Sequence, residues 1–436
     1  MAPRGLEERR IQHGVSLSTA KSRAMIQFGA LMALMSLCDP NGGLVDVPLS
    51  FILKNRLHLS AEETSQFRIF ASLPLYFSFL FGLMRDRMIA QRPGADRAII
   101  LYGALFSCAI YGGFALVPLT REAALTAVIL LTICALFIAS AQNGSMAMFG
   151  QTFNLCGHTS VVWNIFTAAP MAAAYLVGGE LSEMSNALDS RSASQALFLT
   201  GATASLCVAF FAMRRPACLA LGDSAERAIS LGDWGELRRF AREPDVRLPL
   251  FIWLLWNFAP GSGTALQYHL QNNLHATDWQ WGLWNALFTA GFVPAYILFA
   301  ALSRRFDLKV LLRWGAVVAI PQYAPLLLVN SVADALAVAA AIGVLGGLAT
   351  AAIVDLIMRS CPKGLEGTTM MVASSAYFIS LRGSDLLGSY LYDRYGGFSL
   401  CVVATISIYA IILPVQGLLD PRILANREGE VGDEND

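Results

Sequence analysis

Apolar residues fill run after run of this chain, and polar residues gather between the runs instead of alternating inside them. A helix needs roughly 20 such residues to cross about 30 Å of hydrocarbon. Twelve spans are predicted, at 25–53, 63–84, 97–119, 121–150, 157–181, 195–213, 248–272, 279–303, 308–330, 332–358, 366–391 and 397–418. The longest polar interval, 214–247, divides them six and six. The expected organisation is a tail (1–24), a six-helix bundle (25–213), a central loop (214–247), a second six-helix bundle (248–418) and a closing tail (419–436). Part of that loop, AERAISLGDWGELRRFAREPDVR, has the pattern of a basic amphipathic helix on the membrane surface, or of a plain linker.

Composition strengthens the membrane reading. The chain has 436 residues, 56% hydrophobic and 14% charged, against about 25% charged in soluble domains. An all-α integral membrane protein follows. The polar stretch Met1–Arg23 predicts no cleavable signal peptide. Charge sets the orientation. Of the 31 Lys and Arg, only Lys54, Arg56, Arg121, Arg191 and Arg394 fall in outer loops when the N-terminus is inside, and Arg68 and Arg382 fall within spans. That bias predicts both termini in the cytoplasm, in the inner membrane if the cell is bacterial. A net charge of zero suggests no nucleic-acid partner. The eight cysteines have no paired spacing and read as packing residues.

Two runs are interrupted in matching places. Span 1 contains Cys38-Asp39-Pro40-Asn41-Gly42-Gly43, and span 7 contains Asn257-Phe258-Ala259-Pro260-Gly261-Ser262-Gly263. Each glycine disfavours a helix interior by about 1 kcal/mol and proline by about 3 kcal/mol. Freed backbone groups must then face protein or a wet cavity. Tight packing of small residues would explain the glycines but not the aspartates. Pro40 and Gly43 recur 220 residues later as Pro260 and Gly263, and Pro74 and Tyr76 as Pro294 and Tyr296. Phe51–His58 resembles Tyr268–His275. Together these matches argue for a duplicated six-helix unit.

The arrangement resembles the major facilitator superfamily. Twelve spans, a six-plus-six repeat and Gly82-Leu83-Met84-Arg85-Asp86-Arg87 after span 2 carry the resemblance. The usual basic residues that follow are absent, and the second-half counterpart, Ala301–Asp307, is more degenerate. The resemblance implies the major facilitator fold, a secondary transporter working by alternating access, and contact of Asp86 with the start of helix 11 when the inner side is closed. Asp86 and Arg87 are the gating candidates; a carboxylate is favoured near helical N–H groups. Two segments, Asn41–Phe77 and Leu250–Leu274, are similar to the folate–biopterin transporter family.

Charges inside apolar runs are the candidate site. Asp39 and Asp46, seven residues apart, would share a face of an intact helix. Arg382 and Asp385 can do the same. Arg68 sits near the outer end of span 2, and Asp355, close to the inner end of span 10, is expected to pair with Arg359 or to reach the headgroups. Asp39, and after it Asp385, are the proton-carrying candidates, since a poorly solvated carboxylate titrates nearer neutrality. Arg382, Asp46 and Arg68 are substrate-binding candidates, the arginines for a carboxylate held bidentately. Gln142, Asn143, Trp163, Asn164, Trp256, Asn257, Gln267, Tyr268, His269 and Asn285 could complete a pocket, or glue helices together.

No nucleophile–base pair, P-loop, cofactor fingerprint or metal constellation appears, so neither an enzyme nor a resident cofactor is expected. The expected partners are a small-molecule substrate, protons and the lipid bilayer, with the chain a monomer. Three functions remain: proton-coupled movement of an organic anion, pterin- or folate-like among the candidates; efflux of amphipathic compounds; or a non-transporting role in assembly of a membrane complex.

Overall fold

The computed structural model describes residues 17–41, 44–45, 48–49, 52–53, 57, 67–92, 94–118, 120–186, 190–220, 243–362, 364–395 and 397–425. Among them the chain is helical and holds no strand. The principal helices are α1 (Leu17–Cys38), α2 (Phe79–Gln91), α3 (Ala95–Leu116), α4 (Arg121–Thr152), α5 (Cys156–Asn186), α6 (Ser190–Met213), α7 (Pro244–Asn257), α8 (Asp278–Leu302), α9 (Leu308–Ala319), α10 (Val332–Ser360), α11 (Glu366–Tyr395) and α12 (Phe398–Gln416). Seven helical segments among the described residues are long and apolar enough to cross a membrane: α3, α4, α6, α8, α10, α12, and α9 with the 3-10 turn that extends it to Leu328. This is a multi-pass membrane protein.

Local chemistry starts and stops these helices. The Thr120 hydroxyl caps α4 by accepting from Ala123 N. Thr277 and Gln280 form a reciprocal capping box at α8. Ser331 caps α10 at Asp334 N. Gly94, at φ 80°, makes the left-handed turn between α2 and α3.

Helices before Ala220 pack around two apolar clusters, one including Phe28, Ile100 and Phe149, the other Tyr111, Leu131 and Phe198. Helices after Pro244 share a larger one, joined from the first half by Ala147, Cys156, Val161 and Ala168. With no water to expel between helices in lipid, close approach of small residues holds such contacts. At the α8–α10 crossing, a Cβ on Gly343 would lie 3.0 Å from Gly291 Cα.

The helix boundaries correct one expectation. Span 1 is interrupted where its sequence is: α1 stops at Cys38, before Pro40. Span 2 does not stop at Leu83–Met84: α2 runs to Gln91, so Gly82–Arg87 lies inside a helix and not in a following loop. An apolar window closes at the first buried charge, whereas the helix continues because Arg85 and Asp86 find partners. Most of the central loop, 221–242, with its amphipathic segment, lies outside the described residues.

Candidate functional site

Both interruptions are real breaks, and side chains satisfy the backbone they free. At the first, Asp39 Oδ1 accepts from Asn41 N at 2.9 Å, a local turn of the Asx kind. Asn41 Nδ2 donates to Thr132 Oγ1 of α4 at 2.8 Å. The Cys38 carbonyl, an orphan of the helix end, accepts from Tyr111 OH of α3 at 2.9 Å. Asp39 is half-buried. Asp46, expected to share its helix face, lies outside the described residues.

At the second, α7 ends at Asn257 and a helical turn resumes at Gly263 with φ +57°. The turn passes into a π-helical stretch, His269–Asn273. Gly261 N donates to Thr405 Oγ1 of α12 at 2.7 Å. Thr264 N donates to Asp385 Oδ1 of α11 at 3.3 Å. Helix α11 comes close because it carries glycine here: a Cβ on Gly383 would lie 3.0 Å from the Phe258 ring. Asp385 also faces Arg382, Nη1 to Oδ2 at 3.8 Å, an ion pair too long for a hydrogen bond. The Arg382 side chain is 37% exposed, and its Nε has no hydrogen-bond partner among the described residues. That Nε is itself buried, so whatever the guanidinium offers a planar anion must come from its terminal nitrogens.

Asp39 is held by its own turn, and Arg382 with Asp385 belongs to the α7–α11 contact. Arg68 is exposed. The amide side chains are largely occupied. Asn164, Asn257 and Asn285 donate to the carbonyl four residues back, the bland role for mid-helix Asn. Trp163 Nε1 donates to Asn143 Oδ1 at 2.9 Å, joining α5 to α4. Trp256 is buried, stacked on Tyr409 at 4.7 Å, and donates to Thr350 Oγ1. That packing leaves it poorly placed to stack on a substrate ring. His269 stacks on Phe398 at 4.5 Å and contacts Asn273. Gln267 is half-buried and Tyr268 exposed. Gln142 is fully buried, and its Oε1 has no partner among the described residues. Asp355 and Arg359 pair through Nε at 2.8 Å and Nη2 at 3.1 Å.

The densest polar cluster joins the two halves of the chain. Asp86 accepts from Gly367 N at 3.1 Å, Thr368 N at 2.6 Å and Thr368 Oγ1 at 2.6 Å. These are the first-turn donors of α11, where the resemblance placed its contact. Arg85, whose side chain is 2% exposed, donates to Asp86 Oδ1 at 2.8 Å and forks onto Asp96 of α3 at 2.7 and 2.5 Å. Ser145 of α4 donates to Asp96 as well. Arg87, the other gating candidate, is exposed. Arg85 and Asp96 were not among the candidates drawn from the sequence. The available signal was two unlike charges at both ends of a short helix–helix turn. Gly82 permits the approach: its Cβ would lie 2.5 Å from Gly367 O.

More bonds between the halves crowd the same end. Gln151 donates to the carbonyls of Met358 and Cys361. Arg304, at the end of α8, donates to His158 Nε2 near the start of α5. Ser78 reaches Met371 O and Ser375 in α11.

No family model and no curated protein matches the chain. Solved structures do. A bacterial homologue of the iron transporter ferroportin, in its outward-facing state, aligns over 92% of this chain and 98% of its own, at TM-score 0.67 and 14% identity. The human organic anion transporter MFSD10 (TETRAN) aligns over 91% and 99%, at TM-score 0.61 and 13% identity. This is the major facilitator fold. At such identities the likeness is one of fold, and the chemistry of this chain must be argued from its own residues.

Proposed function

We propose that the protein is a secondary transporter that moves a small organic anion across the membrane by alternating access between two six-helix bundles. One observation carries the reading. The halves are latched at the end where α2, α4, α8 and α10 finish, and in each half the first helix is broken away from that latch. A latch at one end and hinges beyond it are the parts of a rocking device. That both neighbours are transporters agrees with it. With Lys and Arg concentrated at the latched end, that end is the cytoplasmic one and the structure is closed to the cytoplasm.

Arg382 is the anion-binding group in this proposal, because its side chain is partly exposed and its ion pair with Asp385 is long. Asp39 is the proton carrier, and Asp385 holds Arg382 and the restart of the broken helix. A planar carboxylate, pterin- or folate-like or simpler, suits a bidentate arginine. The test is substrate-driven proton flux into liposomes, screened over pterins, amino acids and dicarboxylates. Asp39→Asn keeps the Oδ1 that accepts from Asn41 N and removes only the charge. It should abolish flux driven by a pH gradient and retain exchange of labelled substrate; full proton-coupled flux in the variant would remove Asp39 from the role. Arg382→Lys should weaken substrate affinity by about tenfold or more, a loss of roughly 1.4 kcal/mol. Unaltered affinity would move weight to efflux of uncharged amphipathic compounds.

A further inference from the structure

A second site lies away from the path between the halves. A groove of about 870 Å³ opens between α1 and α6, lined by residues of the first half alone. Its polarity is one-sided. Arg23 at the start of α1, and Arg214 and Arg215 just after α6, lie at one end; Leu34, Leu206 and Phe210 line the rest. None of the three arginines forms an ion pair with a described residue. Arg214 lies over the Phe210 ring at 4.6 Å. Beneath the same turn, Arg97 donates to the Ala212 carbonyl at 3.0 Å and adds a fourth cation.

The turn that carries these charges is built in. Arg215 stands at φ +50°, a left-handed backbone that a bulky residue adopts only when its surroundings fix it. They do: Cys218 N donates to Gln27 Oε1 of α1 at 3.1 Å, and Cys218 and Leu219 are buried in the cluster around Phe28 and Phe149. The turn is pinned to α1 and holds its two arginines at the rim. Leu206, Phe210 and Met213 beside it are exposed. In a bilayer that surface meets acyl chains.

We propose that this groove binds an anionic phospholipid of the leaflet at which α1 begins. The phosphate sits among Arg23, Arg214 and Arg215, and an acyl chain lies along Leu34, Leu206 and Phe210. Three guanidiniums without an ion pair among the described residues are suited to phosphate oxygens by their planar fork. Basic pockets between membrane helices recognise lipid headgroups by this chemistry. A soluble anion would be served by the cations alone and would leave the apolar length unexplained.

The experiment uses the full chain, purified in neutral detergent, with native mass spectrometry and thermal stability as readouts. The probes are phosphatidylglycerol, phosphatidylcholine and glycerol phosphate. Phosphatidylglycerol should remain bound and raise the melting temperature, and the other two should not. The variant R23Q/R214Q/R215Q should lose retention by roughly fivefold per charge removed. Leu206→Trp fills the apolar part without touching charge and should also lose it. R305Q/K309Q/R313Q removes three exposed cations from the second half and should retain wild-type binding. Retention unchanged in either groove variant overturns the proposal. So does an equal loss in the second-half control, which would mean general charge attraction, or glycerol phosphate binding as tightly as phosphatidylglycerol.

Discussion

Asp39 and Asp385 each lie beside a helix break, and each accepts from a backbone N–H that the break releases. The expected sharing of one helix face by Asp39 and Asp46 required the helix to continue past Pro40. Helix α1 stops at Cys38, and Asp46 lies outside the described residues. The residue types at the breaks were legible, because proline, glycine and aspartate have no place in an ordinary span. Their partners were not: Thr132, Tyr111 and Thr405 are distant in sequence and ordinary in composition. Gly263 is the position where residue identity is most constrained. Its φ of +57° disfavours any side chain, and a Cβ there would enter the Asp385 carboxylate. Gly263→Ala should therefore lower stability by about 1–2 kcal/mol from the left-handed backbone alone, with more from the collision. A thermal melt of the purified variant checks this, and a melting temperature within error of wild type would refute the assignment of backbone strain at Gly263.

At the scale of elements, a broken helix in lipid is viable only where its loose backbone is met by protein. Helix α12 meets the second break through Thr405 Oγ1, which accepts from Gly261 N at 2.7 Å. Thr405→Val removes the acceptor and preserves the shape, leaving a buried donor unsatisfied. The expected destabilisation is about 1–3 kcal/mol. Faster hydrogen exchange at the Gly261 amide should accompany it, and Thr405→Ser should restore both. An unchanged exchange rate would mean that water replaces the hydroxyl. Hydrophobic runs predicted the existence of the long helices well, since lipid imposes length and apolarity together. They misplaced the end of span 2 because ends are set by particular caps and partners. The continuation of α2 through Arg85 and Asp86 depends on Asp96, Gly367 and Thr368, which no local window contains.

Over the whole molecule, the halves of the chain dock through polar contacts near the ends of their helices. The end of α2 meets the start of α11 through Asp86, and the end of α8 meets the start of α5 through Arg304 and His158. The two contacts differ greatly in depth: Arg85 and Asp86 are buried, whereas the Arg304–His158 contact is exposed. The first should dominate the energy, because screening by water and salt weakens an exposed contact. Asp86 accepts three bonds from α11 and one from Arg85, and all four need an acceptor. Asp86→Asn turns one of its two oxygens into an amide donor facing donors, and leaves Arg85 with one counter-charge. Breaking a buried pair in this way removes about 3–5 kcal/mol from the latched state, and every 1.4 kcal/mol is tenfold in a two-state ratio. A shift of roughly a hundredfold to a few thousandfold toward opening at this end is expected. Cysteines placed at Ser78 and Ser375, which face each other across the halves in the latched state, should become labelled from that side in the Asp86→Asn background. Substrate affinity, set at Arg382 in the proposed site, should persist while transport slows. Equal labelling with and without the Asp86→Asn substitution, together with normal transport, would reduce Asp86 to a charge that orients the chain in the membrane.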